Sequence, residues 1–209
     1  MTPEPTTRSS GVIFKSIVAA ISVLVVALAT PVTSFFRRDD KALTIVKAGG
    51  DIDVDGAPRG ADLVTMGGDI HIGRVDSFAK LETMGGNIDV DAASGSVHAK
   101  TMSGDIVAHI VGTSGAPRDI NLSSNQGEIT LVVPKDFPMT VGVTLAYTDN
   151  QETAFHVIDD FGLRQVKSDN WDKKHGTPRQ YIYANGRVGA GTNRVTISTI
   201  NGNVTLTTK

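Results

Sequence analysis

The sequence predicts an all-β fold: a single-stranded parallel β-solenoid with 18-residue coils, an irregular β cap near the C-terminus and one N-terminal hydrophobic helix ahead of it. Three observations carry this. Met66-Gly67-Gly68-Asp69-Ile70, Met84-Gly85-Gly86-Asn87-Ile88 and Met102-Ser103-Gly104-Asp105-Ile106 recur 18 residues apart, and Ala48-Gly49-Gly50-Asp51-Ile52 opens the series at the same interval. A fixed period near twenty marks a solenoid, whose repeats bury their apolar sides only against neighbours. Within each repeat, apolar and polar residues alternate twice, which is the period of a strand with one dry and one wet face. Turns holding Gly-Gly or Pro-Arg-Gly separate the alternations and leave no room for a helix. A coil this short cannot pair with itself, so its backbone groups must bond to the coils on either side, about 4.8 Å away.

The first element is the tail, hydrophobic segment and linker of residues 1–41. Residues 16–36 carry no charge. A run of about 20 apolar residues spans the roughly 30 Å of a bilayer core as a helix. The preferred reading is a single-pass anchor that ties the chain to a membrane. The alternative is a signal peptide, because Ala27-Leu28-Ala29 has the small-x-small form of a cleavage site. Arg8 and Lys15 precede the segment and Arg37, Arg38 and Lys41 follow it, so the positive-inside count does not orient it.

The solenoid domain is expected over residues 42–209. Leu43 and Ile45 fall where the second strand of an earlier coil belongs. Ile52 and Val54, Ile70 and Ile72, then Ile88 and Val90 alternate with polar residues after each glycine pair. Ala61, Leu63 and Thr65, then Ala79, Leu81 and Thr83, then Val97, Ala99 and Thr101 make the other alternation. Identical positions should stack: Ile52, Ile70, Ile88 and Ile106 in one column, and Leu63 and Leu81 into Ala99 in another. A five-residue insertion around residues 112–118 lengthens one coil, after which Ile120, Leu122, Ile129 and Leu131 resume the phase. Residues 137–188 break the period. They hold the only Trp and all three Tyr and are expected to form a non-repeating elaboration that closes one end. Val195, Ile197, Thr199, Gly202, Val204 and Leu206 then restore the pattern.

Composition narrows the function classes. The 209 residues include 22 Gly, with 5% aromatic and 40% hydrophobic residues and a net charge of −2. No overall field recruits nucleic acid. With no cysteine, disulfides and thiolate metal sites are excluded.

The Thr-Met-Gly-Gly-Asp-Ile and Thr-Met-Ser-Gly-Asp-Ile coils, Asn125-Gln126-Gly127-Glu128-Ile129-Thr130-Leu131 and Ile197-Ser198-Thr199-Ile200-Asn201-Gly202-Asn203-Val204 resemble a bacterial family of adhesin-like β-solenoid domains. That resemblance covers residues 42–209. It implies a domain of unknown function that is exported or tethered in the cell envelope, with adhesion or envelope-stress sensing as its role. It brings no catalytic residues. Together with the signal-like layout of the N-terminus, it places the domain on the extracytoplasmic side of the cytoplasmic membrane.

The chemistry-bearing residues favour structural readings, and no catalytic, cofactor-binding or metal-ligating residue is assigned. Asp51, Asp53, Asp55 and Asp62 share the skeleton of a calcium loop. However, Ile52 and Val54 are needed in the core, and Pro58 and Arg59 stand where a helix-flanked loop would not put them. Asp51, Asp69, Asn87 and Asp105 stack as a column, which repels unless something compensates. The expected compensation is local, with each side chain accepting N–H bonds in its own turn; a cation between coils is the alternative. The glycines are expected to supply positive φ and close coil contact. His71, His98, His109, His156 and His175 make no repeated pair. Asp159, Asp160, Asp169 and Asp172 put acids near Trp171, which suits a sugar-binding spot, although a cap residue over the solenoid end is the preferred role for Trp171.

The expected function is therefore non-enzymatic: a membrane-tethered module that presents flat, stacked faces to a protein or polysaccharide, with no cofactor and no nucleic-acid partner. The alternative is a polymer-forming scaffold of bactofilin type at the inner face of the membrane.

Overall fold

The computed structural model describes residues 41–209 except 114, 151–153, 174 and 175. The hydrophobic segment expected over 16–36, and the cleavage site after Ala29, lie outside the described residues. Every regular element described is a strand: β1 Leu43–Lys47, β2 Ile52–Ala57, β3 Ala61–Thr65, β4 Ile70–Val75, β5 Phe78–Thr83, β6 Ile88–Ala93, β7 Ser96–Thr101, β8 Ile106–Ile110, β9 Asp119–Ser124, β10 Ile129–Val133, β11 Met139–Thr148, β12 Val157–Asp159, β13 Arg164–Lys167, β14 Arg179–Val188, β15 Asn193–Ile200 and β16 Val204–Thr208.

Odd and even strands of the repeats segregate into two sheets. Sheet A has the order β1-β3-β5-β7-β9-β15-β11-β14-β13, and sheet B the order β12-β16-β10-β8-β6-β4-β2. The pairing is parallel throughout the coils, with β14 and β13 added antiparallel at the end of sheet A. The predicted columns form in register: Ile52 pairs with Ile70, Ile70 with Ile88 and Ile88 with Ile106, while Leu63 pairs with Leu81 and Leu81 with Ala99. Inward side chains of the two sheets meet in one continuous core, in which these columns are fully buried. The long insertion after β8 leaves the stacking phase intact, since Ile129 still sits on Ile106.

The elaboration over 137–188 is more regular than its sequence suggests. β11 lies beside β15 in sheet A and β12 beside β16 in sheet B, so together they make a further coil in phase with the rest. Val143 stacks on Ile197, and Val157 on Val204. Only β13, β14 and their connections depart from the solenoid. The C-terminal coil of β15 and β16 is not the last layer. It is inserted between β9–β10 and β11–β12, pairing across 75 residues with Asp119–Ser124.

One corner, repeated coil after coil, shows what holds the stack. The buried hydroxyls of Thr65, Thr83, Thr101, Ser124 and Thr199 donate to the carbonyls of Gly50, Gly68, Gly86, Gly104 and Gly127, each 2.7–2.9 Å away in the neighbouring coil. The N–H groups of Gly86 and Gly104 donate back to Thr83 and Thr101. These hydroxyls would be costly to bury unpaired; as a ladder they satisfy backbone groups that no strand bond reaches. At Gly68, Gly86 and Gly104 close approach demands glycine: a Cβ on Gly86 would meet the Gly68 carbonyl oxygen at 2.0 Å. Gly50, in the first coil, has nothing within 4 Å of a Cβ and needs glycine for its φ of 81°. The expected positive φ therefore holds at Gly50 and in the turn at Gly60, and is corrected for the rest of the column.

The acidic column is compensated between coils, not within each turn as expected. The N–H of Asp69 donates to Oδ1 of Asp51 at 2.9 Å, that of Asn87 to Asp69 at 2.7 Å, that of Asp105 to Asn87 at 2.9 Å and that of Glu128 to Asp105 at 2.7 Å. Asn203 accepts from the N–H of His156 in the same way. Each side chain thus caps the strand that starts in the next coil, which explains why an amide serves as well as a carboxylate.

Candidate functional site

A solenoid of this kind offers two outer faces, and the strand period decides which residues stand on each. On sheet A the outward residues align across strands into transverse rows. One row runs Asp62, Lys80, His98, Asn121 and Thr196 to Gly142 and Asn185. The next runs Glu82, Lys100, Ser123, Ser198 and Thr144 to Tyr183. At about 4.8 Å per strand, such a row crosses tens of ångströms of surface without a break.

Midway along these rows lies a shallow cavity of about 320 Å³, lined by Lys80, Glu82, His98, Lys100, Asn121, Ser123 and Ser198, with Ala99 beneath. Its floor is polar and rigid, because every lining residue belongs to a strand paired on both sides. Lys80 Nζ stands 3.4 Å from Glu82 and 3.8 Å from Asp62. His98 Nε2 lies 3.7 Å from Asp119, and the Ser198 hydroxyl donates to Ser123 at 3.0 Å. His98 makes no hydrogen bond with either serine, so the nucleophile–base contact that hydrolysis would use is not built here. At the far end, Tyr181 and Tyr183 stack with centroids 5.8 Å apart and planes 13° from parallel.

Sheet B has a different character. His71 bridges Asp53, 2.8 Å from Nδ1, and Asp91, 3.1 Å from Nε2, across three adjacent strands. These hydrogen bonds raise its pKa above the ordinary imidazole value, Asp53 contributing most and Asp91 next, against a smaller opposing effect of burial.

The residues weighed from the sequence are scattered by the fold. Asp53 and Asp55 stand on the outer face of sheet B, while Asp62 lies on sheet A facing Lys80, so the calcium-loop spacing brings no ligand set together. His71 and His109 are on sheet B, His98 is on sheet A and His156 starts the coil of β12; His175 lies outside the described residues. Asp159 accepts the N–H groups of Phe161 and Leu163 and shapes the turn after β12. Asp160 accepts from the Thr207 hydroxyl and the Thr208 N–H. Those bonds, the one from Thr207 above all, hold its carboxyl below the usual carboxylate range.

Trp171 packs edge-on against Tyr147 at 5.7 Å and remains 40% exposed, so it dresses the rim of the last coil. The fully buried aromatic at that end is Phe137, with the Arg118 guanidinium 5.4 Å from its ring centroid. Arg118 itself is buried, which lowers its pKa. It had no signal in the sequence beyond its place at the end of the insertion. The sheet A rows were missed too, since their residues do not repeat and only the register aligns them.

A profile of the Toastrack DUF4097 family matches residues 40–207, the whole solenoid. The chain belongs to the Toastrack DUF4097 family. Toastrack DUF4097 is a domain of unknown function, so membership accounts for the architecture and leaves the activity to be argued from the surface. No curated protein and no solved structure matches the chain. In this Toastrack domain the repeated residues belong to the corners and core, and the residues that differ from coil to coil line the faces.

Proposed function

We propose that this Toastrack domain is a non-enzymatic binding module of the cell envelope, held on the extracytoplasmic side of the cytoplasmic membrane by residues 16–36, or released there by cleavage after Ala29, and that it engages an extended polymer across sheet A. The observation that carries the reading is the polar row from Lys100 through Ser123 and Ser198 to Thr144, with the row from His98 through Asn121 to Thr196 beside it and the shallow cavity set into both. Ligand pockets that bind compact molecules are concave and largely apolar. A flat polar ladder that continues beyond its cavity on both sides suits a long partner, bound through many similar contacts. The uncharged run 16–36, of spanning length, supports the tether.

Location is tested first. A reporter enzyme active only after export, fused behind Lys209, is expected to be active, and protease added to spheroplasts is expected to digest the domain. A silent reporter with a protected domain would sink the placement. Binding at sheet A is tested by labelling: a cysteine introduced as Ser123→Cys is expected to react with a maleimide in the purified chain and to be shielded in intact envelopes. Equal labelling in both would remove the surface from consideration.

A further inference from the structure

We infer that the polymer is an acidic polysaccharide, seated on sheet A with its carboxylates on Lys100, Arg194 and Arg164 and a sugar ring against Tyr183. This rests on the binding-module reading above and adds the chemistry of the ligand. Charge divides the solenoid between its faces. The outward positions of sheet B carry Asp53, Asp55, Asp89 and Asp91. Arg74 there is already held by Asp76 at 2.9 Å. On sheet A the acids are the residues with partners: Lys80 faces both Asp62 and Glu82, and His98 faces Asp119. Lys100, Arg194 and Arg164 stand exposed on the same face. None of the three has an ion pair among the described residues. The face thus keeps a surplus of cations awaiting anions, while the opposite face repels them.

Their arrangement speaks for a polymer with sparse charges. Lys100 is on β7 and Arg164 on β13, five strand steps apart in sheet A, about 24 Å at roughly 4.8 Å per step. Between them the rows offer hydroxyls and amides, among them Ser123, Ser198, Thr144 and Asn121. Such groups exchange hydrogen bonds with sugar hydroxyls as donors and acceptors alike. Tyr183, 39% exposed beside Tyr181, supplies a flat apolar surface with a polar tip at the end of the row. A nucleic acid would call for denser cations and a series of stacking aromatics along the strand. Among the described residues this face exposes the Tyr181–Tyr183 pair and, on distant β5, the single Phe78, which do not make a series.

The test uses the full-length chain with polygalacturonate and with neutral galactan, followed by affinity electrophoresis and calorimetry. Polygalacturonate is expected to bind, to weaken as salt rises, and to bind at least tenfold more weakly to Lys100→Glu combined with Arg164→Glu. Asp89→Ala on sheet B is expected to leave affinity unchanged. Thermal melts of each variant confirm that the fold is retained. Equal binding of galactan, or no effect of the charge reversals, would overturn the acidic class while leaving a binding surface in place. Single-stranded DNA binding as tightly as polygalacturonate would also overturn it, by making the face a general polyanion site. Failure of all three polymers to bind would overturn both this inference and the polymer-binding reading on which it rests.

Discussion

Gly67 and Gly86 occupy successive positions of the same phrase in adjacent coils, yet a methyl group meets opposite surroundings at each. Nothing lies within 4 Å of a Cβ on Gly67, whereas one on Gly86 would fall 2.0 Å from the Gly68 carbonyl oxygen, a backbone atom that cannot swing aside. Gly86→Ala is therefore expected to cost about 3 kcal/mol or more, through forced separation of two coils. Gly67→Ala should stay within about 0.5 kcal/mol of neutral. Denaturant unfolding of the two variants decides it, and similar losses at both would mean that close approach is not what selects glycine. Ile88→Ala gives an internal scale: a fully buried column residue should lose about 2–5 kcal/mol, and outward Asp89→Ala under about 1 kcal/mol. At this scale the sequence was legible wherever a residue repeats. Ile52, Ile70, Ile88 and Ile106 announce their column by recurrence. Thr83 and Thr101 recur too, but alternation reveals only that they point inward. It does not reveal that their hydroxyls bond to the glycine of another coil.

Across adjacent strands, β2, β4 and β6 are joined on the outside by the His71 bridge to Asp53 and Asp91. Because the folded-state pKa of His71 is raised, its stabilisation is fully present below about pH 6.5, the unfolded value, and is lost as pH rises through the higher folded value. Melting temperatures measured from pH 5.5 to 8.5 should thus fall slightly more for the natural chain than for His71→Gln. The effect is small because His71 and both partners are well exposed to water. Identical slopes would show that the bridge does not persist in solution. The Asp51–Asp69–Asn87–Asp105 ladder carries a second expectation. Its oxygens already accept backbone N–H groups, so chelator should leave the melting temperature unchanged. A rise of several degrees on adding calcium would reveal a site, since a ligand of the folded state stabilises by mass action. The ladder was half legible: the column follows from the 18-residue spacing, but the direction of its bonds does not, because a turn can be satisfied either from within or from the next coil.

For the molecule as a whole, the ends decide between a discrete particle and a filament. β12 is three residues long, β14 runs antiparallel to the coils and β13 pairs antiparallel with β14, so this end of the stack does not reproduce the parallel edge strands that β1 and β2 present at the other. The β2 edge also carries Asp53 and Asp55, with Asp51 just ahead of it, and charge on an edge strand discourages edge-to-edge pairing. Electron microscopy of the purified chain should show separate particles; long filaments would favour the scaffold. The general plan of the stack was legible from its period, but the order of layers was not. Val195, Ile197 and Thr199 match the coil pattern whether they follow residues 137–188 or sit before them, and only the pairing of Val195 with Ile120 on one side and Val141 on the other decides. That order has a consequence for how the protein is made. The ribosome delivers the seventh layer before the sixth, so β11 and β12 cannot take their native neighbours until β15 and β16 have emerged. A message cut short before Asn193 would therefore yield a protein with a missing rung in the middle of its ladder, not a shorter ladder.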